Sequence, residues 1–344
     1  KIEDYKHSNI VRQFDGDFGI NLKDVEIPVN PYETFKCDVP NLNTFTYFLI
    51  NDRFYSKVEQ KESLPKNVFV GSMRQFAKDH PDIFDKYYGR IADSETNGVV
   101  AYNTMFAQDG FVVYVPKNVV IEKPLQLINI LRGGVDMNVN RRVLVVAEEN
   151  AHVKLLVCDH TVDDVKFVVT HVTEIFADRS AQVDVHELEV VTSSVTLHNG
   201  YTRNNFRYRL LGEHAEAHAG GLAICDKEQH IDNFAFLDHS KPNCLSDELF
   251  KTVLNDKATG VFCGKILVEK DAQKTLAYQT NRNLINSDTA QMFAKPQLEI
   301  YADDVKCSHG LTTGHLDEES LFYMRSRGMD KEEARLLLLV AFTS

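Results

Sequence analysis

The chain has 344 residues, of which 43% are hydrophobic and 26% charged, values typical of a soluble globular protein long enough for more than one domain. Its formal net charge of −12 argues against nucleic acid or an anionic membrane surface as the main partner. The longest apolar run, Leu336 to Phe342, is too short to cross a bilayer. We therefore expect neither a nucleic-acid partner nor a membrane partner.

The six cysteines are scattered along the chain, and no two of them form a Cys-x-x-Cys pair. Isolated cysteines in a long chain are typical of a reduced intracellular protein and not of a disulfide framework, so we expect a cytoplasmic protein. The first residue is Lys1 and not Met, and we expect that the sequence is part of a longer chain.

Residues 1–92 are predicted to form an N-terminal region of mixed helices and a hairpin. The apolar runs Phe45–Ile50 and Phe54–Val58 flank a short polar turn, which is typical of a β-hairpin. Two short helices are predicted after it, over Met73–Lys78 and Pro81–Tyr88.

Residues 93–312 are dominated by short strand patterns with few helical signals. The predicted strands are Phe111–Val115, Val119–Ile121, Leu125–Leu131, Val143–Ala147, Val153–Val157, Phe167–Phe176, Val183–Thr192, Leu222–Ile224 and Val261–Val268. A polar residue followed by Ala recurs before strands, at Ala151, Ala181, Ala215, Ala258, Ala272 and Ala290.

Small residues at recurring corners favour a parallel β-solenoid, whose tight corners admit only small side chains. An antiparallel sandwich also gives many short strands, but Asn-Gly and Asp-Gly hairpin turns are scarce here. We predict a mainly β fold, a right-handed parallel β-helix over residues 93–312, flanked by N-terminal α/β and C-terminal α-helical segments.

The C-terminal region, residues 313–344, is predicted to be helical. A first helix covers Asp317–Arg327 and is ended by Gly328, and Asp330 caps a second helix. The second helix is apolar nearly all round, which indicates packing against another segment or another protein.

The most informative stretch, Lys295 to Gly328, begins as an alternating strand and continues into a cluster of Asp, Cys and His. Cys307 and His309 are two residues apart, so an extended backbone projects both from one face. A thiol and an imidazole so placed are able to hold iron or a sulfur species, or to accept a proton. The alternative is a small buried thiol beside a structural histidine.

Other groups of residues are candidates for chemistry. His214 and His218 are four apart and would share a face on a helix or strand, as a metal site requires, although no third ligand is near in sequence. His239 with Cys244 is a further candidate pair, with a loop as the alternative.

Asp303 and Asp304 form a carboxylate pair of the kind used by solenoid polysaccharide enzymes, but adjacent strand residues face opposite ways. The segment Gly260 to Ile266 only superficially resembles a phosphate loop: it is one residue short and lacks the hydroxyl that meets Mg²⁺. We therefore expect no ATP hydrolysis by this chain.

The segment Asp238 to Gly328 closely resembles the SufB/SufD family of iron–sulfur cluster assembly proteins. The stretches that carry the resemblance are Ser246–Lys251, Gln273–Thr275, Ala277–Gln279, Asn281–Asn283, Lys295–Gly310 and Leu321–Gly328. The chain is more similar to SufD than to SufB, because Ser287 occupies the place of the SufB scaffold cysteine and Lys306–Gly310 reads Lys-Cys-Ser-His-Gly.

The resemblance implies a non-enzymatic subunit of a cluster assembly scaffold that works with a SufB-like paralogue and the ATPase SufC in iron acquisition and cluster formation. It implies that Cys307 and His309 lie at the interface with the paralogue and bind iron transiently, without a tightly bound cofactor. It also implies that the C-terminal helices contact the ATPase, with the contact residues Phe322, Tyr323, Arg325 and Arg327.

Two alternatives come from other classes of protein. One is a β-solenoid carbohydrate lyase or hydrolase that uses Asp303 and Asp304, and the other is a stand-alone metal-binding protein that uses His214 and His218. For the isolated chain we expect a homodimer, since a solenoid face that lacks its partner pairs readily with itself.

Overall fold

The structure, a computed structural model, describes residues 6–8, 10–20, 43–56, 63–161, 163, 165–189 and 200–343. In these residues the helices are α1 Ile10–Phe14, α2 Met73–Asp79, α3 Pro81–Tyr87, α4 Gly98–Phe106, α5 Glu318–Ser326 and α6 Lys331–Thr343. None of the described helices is long and apolar enough to cross a membrane.

The strands of the first half are β1 Gly19–Ile20, β2 Phe45–Ile50, β3 Arg53–Phe54, β4 Phe69–Ser72, β5 Phe111–Val115, β6 Leu125–Leu131, β7 Met137–Ala147, β8 His152–Thr161, β9 Phe167–Ala177 and β10 Gln182–Glu189. Those of the second half are β11 Tyr201–Leu210, β12 Glu216–Cys225, β13 His230–His239, β14 Leu245–Leu254, β15 Thr259–Val268, β16 Leu276–Ile285, β17 Gln291–Ile300 and β18 Lys306–Gly314. Residues 190–192 of the predicted strand Val183–Thr192, and residues 57–58 of Phe54–Val58, lie outside the described residues.

From β5 onward successive strands alternate between two sheets, so that the chain winds as a parallel β-solenoid. One sheet has the order β17-β15-β13-β11-β9-β7-β5-β4, and the other has the order β18-β16-β14-β12-β10-β8-β6-β2-β3. One turn of the solenoid takes about 30 residues. Ala277 and Cys307, for example, are 30 positions apart and lie opposite each other in the neighbouring strands β16 and β18. The predicted mainly β solenoid with flanking helices is confirmed. β2, from the predicted N-terminal hairpin, joins the second sheet by pairing in parallel with β6.

The corners of the solenoid explain the recurring alanines. Along one edge, a residue with left-handed backbone occurs in each turn, with φ between 53° and 61°: Asn118, Asn150, Ser180, His214, Asn243 and Lys274. Its N–H donates to a carbonyl of the next turn, as from Asn150 to Arg179 at 2.9 Å. The alanine that follows Asn150, Ser180 or His214 is fully buried, so the predicted need for small corner residues is confirmed.

The N-terminal helices cover the outer face of the first sheet. Phe76 of α2 is fully buried against strand residues that include Leu144 and Phe176. The buried Glu174 of β9 accepts hydrogen bonds from the backbone N–H groups of Gly89, Ile91 and Ala92 at 2.9–3.1 Å, which anchors the loop after α3. The Arg142 guanidinium, 2.8 Å from Glu174, balances its charge.

Helix α4 lies within the range predicted as solenoid and was not anticipated by sequence patterns. Asn97 caps it, accepting from the N–H groups of Val99 and Val100 at 3.1 Å. The fully buried Asn103 fixes α4 to the sheet, because its side-chain amide donates to the carbonyls of Arg141 and Thr170, each at 3.0 Å.

The C-terminal helices follow β18 directly. Asp317 caps α5, Gly328 ends the segment with φ 96°, and Asp330 accepts from the N–H groups of Glu332 and Glu333 at the start of α6. The predicted pair of capped helices is confirmed.

Candidate functional site

Strand β18, which carries Cys307 and His309, forms an edge of the solenoid. Among the described strands it pairs with β16 alone, with Cys307 opposite Ala277 and His309 opposite Gln279. Every residue from 306 to 314 is exposed except Cys307, which is partly buried. The outer edge of β18 therefore presents unpaired backbone groups and side chains to solvent.

Cys307 ends a row of small side chains that point into the solenoid. The row runs through Ala217, Ser246 and Ala277 in successive turns, and Cys307 packs against the same core. Burial raises the pKa of the Cys307 thiol. The side chain is thus a neutral thiol at neutral pH, and a metal ion or a basic partner must remove its proton before it acts as a ligand or nucleophile.

His309 lies two residues further along the same strand, so its side chain leaves the same face of β18 as that of Cys307. Its imidazole is exposed. The two side chains that the sequence placed together are therefore on one face of an edge strand, with the thiol turned towards the core and the imidazole accessible.

Two buried polar residues next to His309 were not found by sequence analysis. Gln279 lies beside it in β16, and Glu248 lies beside Gln279 in β14. Both are at most 1% exposed, and Gln279 Nε2 donates to Glu248 Oε2 at 2.6 Å. Burial raises the pKa of Glu248 to about 7. Both residues occupy strand positions that alternate with exposed ones. This alternation was the sequence signal that could have indicated that they face inward.

Cys307 and His309 do not form a complete metal site. In the part of the chain that the structure describes, no group of three or more His, Cys, Asp or Glu side chains is arranged to hold a metal ion. Metal and cluster sites with Cys and His ligands generally use four. The pair provides at most half of such a set, at a strand edge that a second protein is able to reach.

Helix α5, which begins four residues after β18 ends, presents an exposed aromatic surface. Phe322 and Tyr323 are 74% and 59% exposed, which is unusual for large apolar side chains. They line an open groove of about 880 Å³ together with Leu338 of α6. Arg327 stacks on the Tyr323 ring at 5.1 Å and donates to its hydroxyl at 3.0 Å, while Arg325 is exposed in the last turn.

The other candidate histidine pairs are explained by the fold. His214 is a left-handed corner residue that precedes β12, so it does not share a strand with His218 as the sequence suggested. The buried His239 is hydrogen-bonded to Ser246 at 2.8 Å, and the Cys244 thiol donates to the Gly212 carbonyl at 3.2 Å. Burial lowers the pKa of His239 to about 4 and raises that of Cys244 to about 11.

Asp303 and Asp304 are exposed in the corner between β17 and β18. The Asp304 N–H donates to the side chain of Gln273 at 2.9 Å, and its carbonyl accepts from Lys274, so the backbone of this segment closes the corner. The segment that superficially resembles a phosphate loop lies within strand β15, whose extended backbone does not wrap a phosphate.

Two family models match most of the chain. Residues 189–342 match the SufBD core domain of the SUF system for iron–sulfur cluster assembly, and residues 1–127 match the SufBD protein N-terminal region. The solenoid end that carries Cys307 and His309, together with both C-terminal helices, lies within the core domain match.

Individual proteins agree with the family models. The chain is 42% identical to the iron–sulfur cluster assembly protein SufD of Escherichia coli over 151 residues, which cover 44% of this chain but only 36% of that protein. It is 29% identical to a SufBD family protein of Synechocystis over 336 residues, covering 88% of this chain and 74% of the relative. It is 28% identical to the chloroplastic protein ABCI7 of Arabidopsis thaliana, covering 87% and 69%.

The family models, the relatives and the solenoid with its helical ends lead to one assignment. The chain belongs to the SufB/SufD family of iron–sulfur cluster assembly proteins and is SufD-like.

Proposed function

We propose that this protein is a non-ATPase subunit of a SUF-type scaffold, in complex with a SufB-like paralogue and a SufC-like ATPase. In that complex it assists iron acquisition and cluster formation and does not itself catalyse a reaction. The observation that carries the proposal is the half-site of Cys307 and His309 on the exposed edge strand of a SufBD-family solenoid.

An incomplete ligand set suits assembly better than storage. A cluster held by four ligands of one chain is retained, whereas a scaffold must accept iron and sulfide and then release the product. Two ligands from β18 and further ligands from the paralogue make a shared site. Movement of the subunits brings these ligands together or separates them. Iron and sulfide are the cargo of this site, and no tightly bound cofactor is needed.

The C-terminal helices are the proposed contact with the ATPase. Phe322 and Tyr323 form an exposed aromatic surface, and Arg325 and Arg327 add positive charge beside it. Because α5 begins four residues after β18 ends, a movement of the helices is transmitted to the strand that carries His309. A ligand that binds the ATPase more tightly in one of two arrangements of the complex would then shift the site at β18 towards that arrangement.

In isolation we propose that the chain forms a homodimer. The free edge of β18 supplies unpaired backbone donors and acceptors, and Leu311 in the same strand is 43% exposed. Sedimentation velocity at micromolar concentrations is expected to give twice the chain mass. A monomer mass throughout that range would refute self-association.

The proposal is tested by co-expressing this protein, tagged, with a SufB-like paralogue and a SufC-like ATPase. We expect all three to co-purify in a fixed ratio. The double variant Phe322→Ser, Tyr323→Ser is expected to lose the ATPase but keep the paralogue. The variant Met105→Ser, at an exposed apolar residue elsewhere (68% exposed), is the matched control and keeps both. Purification of the wild-type chain free of both proteins would refute the proposed complex.

A further inference from the structure

His309 is the last member of a row of inward-facing residues in the second sheet. The row runs from Ala219 in β12 through Glu248 in β14 and Gln279 in β16 to His309 in β18. Glu248 is 0% and Gln279 1% exposed, whereas His309 is exposed. A buried polar pair is thus directly followed, at the open end of the solenoid, by the candidate ligand.

The amide of Gln279 is fixed in one orientation. Its Nε2 donates to Glu248 Oε2 at 2.6 Å, and above the raised Glu248 pKa of about 7 the ionised carboxylate only accepts, which excludes the flipped amide. The facing strand β15 leaves room for this amide with a glycine. A Cβ atom at Gly264 would lie 2.4 Å from Gln279 Nε2 and 2.8 Å from its Oε1. Any other residue at 264 would displace the amide.

The Gln279 amide oxygen has no hydrogen-bond partner although it is buried. A buried acceptor without a partner costs about 1–3 kcal/mol, so such an atom calls for an explanation. The nitrogen of the amide points towards Glu248 in β14, and the oxygen diverges from that direction. The next side chain of the row, on the other flank of β16, is His309, whose neutral ring carries one N–H.

We propose that Gln279 is a positioning residue for His309: its amide oxygen, which has no partner in this structure, accepts the N–H of one imidazole nitrogen once the exposed ring turns inward, and Glu248 holds the amide in the orientation that makes this possible. The inference deepens the proposed function and rests on it for the role of iron. His309 is thereby held in one tautomer, with the lone pair of its second nitrogen free at the edge of β18 for iron.

The chemical reason for such an arrangement is general. A histidine that binds a metal usually donates its other N–H to a neighbouring acceptor, which fixes the ring and the tautomer. An exposed imidazole on an edge strand otherwise samples several rotamers and both tautomers. The row Glu248–Gln279–His309 supplies the missing restraint from inside the solenoid.

The test is the tautomer of His309, read from the ¹⁵N chemical shifts of its ring in the full chain labelled at histidine. Spectra are recorded at about pH 8.5, well above the ordinary histidine pKa, and the His309→Ala variant identifies the resonances. In the wild type we expect two well-separated shifts, one for a protonated and one for an unprotonated nitrogen. In Gln279→Met we expect both to move towards the average of the two tautomers.

Matched variants separate this effect from a general loss of packing. Glu248→Gln keeps an acceptor for the Gln279 amide and is expected to keep the wild-type His309 shifts. In Glu248→Leu both His309 shifts are expected to move towards the average of the two tautomers. Asn281→Leu alters another buried amide of β16, 0% exposed, which donates to the Phe250 carbonyl in β14, and is expected to leave the His309 shifts unchanged. Wild-type shifts in Gln279→Met, or averaged shifts already in the wild type, would overturn the proposal.

A second measurement separates this inference from the proposed function. In the complex with the paralogue and the ATPase, Gln279→Met is expected to weaken Fe²⁺ binding by about ten-fold, the usual effect of losing a partner of a metal-binding histidine. If His309→Ala leaves Fe²⁺ binding unchanged, the role of His309 in the proposed function is refuted. The tautomer result in the isolated chain is independent of that outcome.

Discussion

Lys251 Nζ lies 2.9 Å from the backbone carbonyl oxygen of Phe342 and thereby joins the end of α6 to strand β14. Lys251 is only 9% exposed, and its ammonium also lies 5.9 Å from the centre of the Phe342 ring. A cation at the carboxyl end of a helix is favourable because it satisfies free carbonyls and meets the negative end of the helix dipole. The terminal helix is thus attached to the solenoid two strands away from β18.

Lys251→Met should loosen α6 without unfolding the solenoid. The variant keeps the apolar stem but removes the charged donor, at a cost of roughly 1.5–3 kcal/mol for a hydrogen bond to a charged group. Hydrogen–deuterium exchange of peptides from Lys331–Thr343 should become about ten-fold faster. Lys257→Met, at an exposed lysine, is the control and should leave this exchange unchanged. Equal exchange in Lys251→Met and wild type would show that the contact does not hold the helix.

Glu248 should make the protein less stable as the pH rises. Burial raises its pKa to about 7 in the folded protein, from an ordinary value of 4.5. Between these two values the unfolded chain has released the proton and the folded chain has not. The free energy of unfolding therefore falls as the pH rises from about 4.5 to about 7, by on the order of 3 kcal/mol from this group.

Glu248→Gln stays uncharged and should remove this part of the pH dependence. Urea unfolding at about pH 5 and pH 7.5 is the measurement, and the variant should gain stability over the wild type at the higher pH. Asp303→Asn, at an exposed carboxylate in the corner between β17 and β18, serves as the control. A wild-type pH dependence that persists in Glu248→Gln would mean that burial does not raise the pKa of Glu248 and that other groups cause the dependence.

The corner alanines should not tolerate larger side chains. Ala181 is fully buried and follows Ser180, whose φ of 53° fixes the chain direction at the corner. Ala181→Leu is expected to lower the free energy of unfolding by about 1–3 kcal/mol or more, because the tight corner has no room to relax. The exposed Ala341→Leu in α6 should change it by less than about 0.5 kcal/mol. Equal melting temperatures for the two variants would contradict the role of the corners.

Much of the solenoid was predictable from sequence because its determinants are local. Period-two alternation fixes the strands, and small residues such as Ala181 fix the corners, so these signals lie within a few positions of one another. The strands Phe111–Val115 and Leu125–Leu131 were predicted with their observed bounds. The pair of C-terminal helices was also predictable, from caps such as Asp330.

What sequence analysis missed depends on contacts between distant turns. Helix α4 is held by Asn103, whose partners are 38 and 67 positions away. Glu248 and Gln279 appear as ordinary polar strand residues, and only the 31-residue register of β14 with β16 shows that they face each other inside the solenoid. The candidate site was found through Cys307 and His309, but the buried residues behind His309 required the fold.

The most direct test of the proposed function is the iron content of the purified three-protein complex after anaerobic loading with Fe²⁺ and sulfide. His309→Ala is compared with His315→Ala, an exposed histidine just after β18. We expect His309→Ala to lose most of the bound iron and of the cluster absorbance, and His315→Ala to retain both. Unchanged iron and cluster yield in His309→Ala, with the complex intact, would contradict the half-site at the edge of β18.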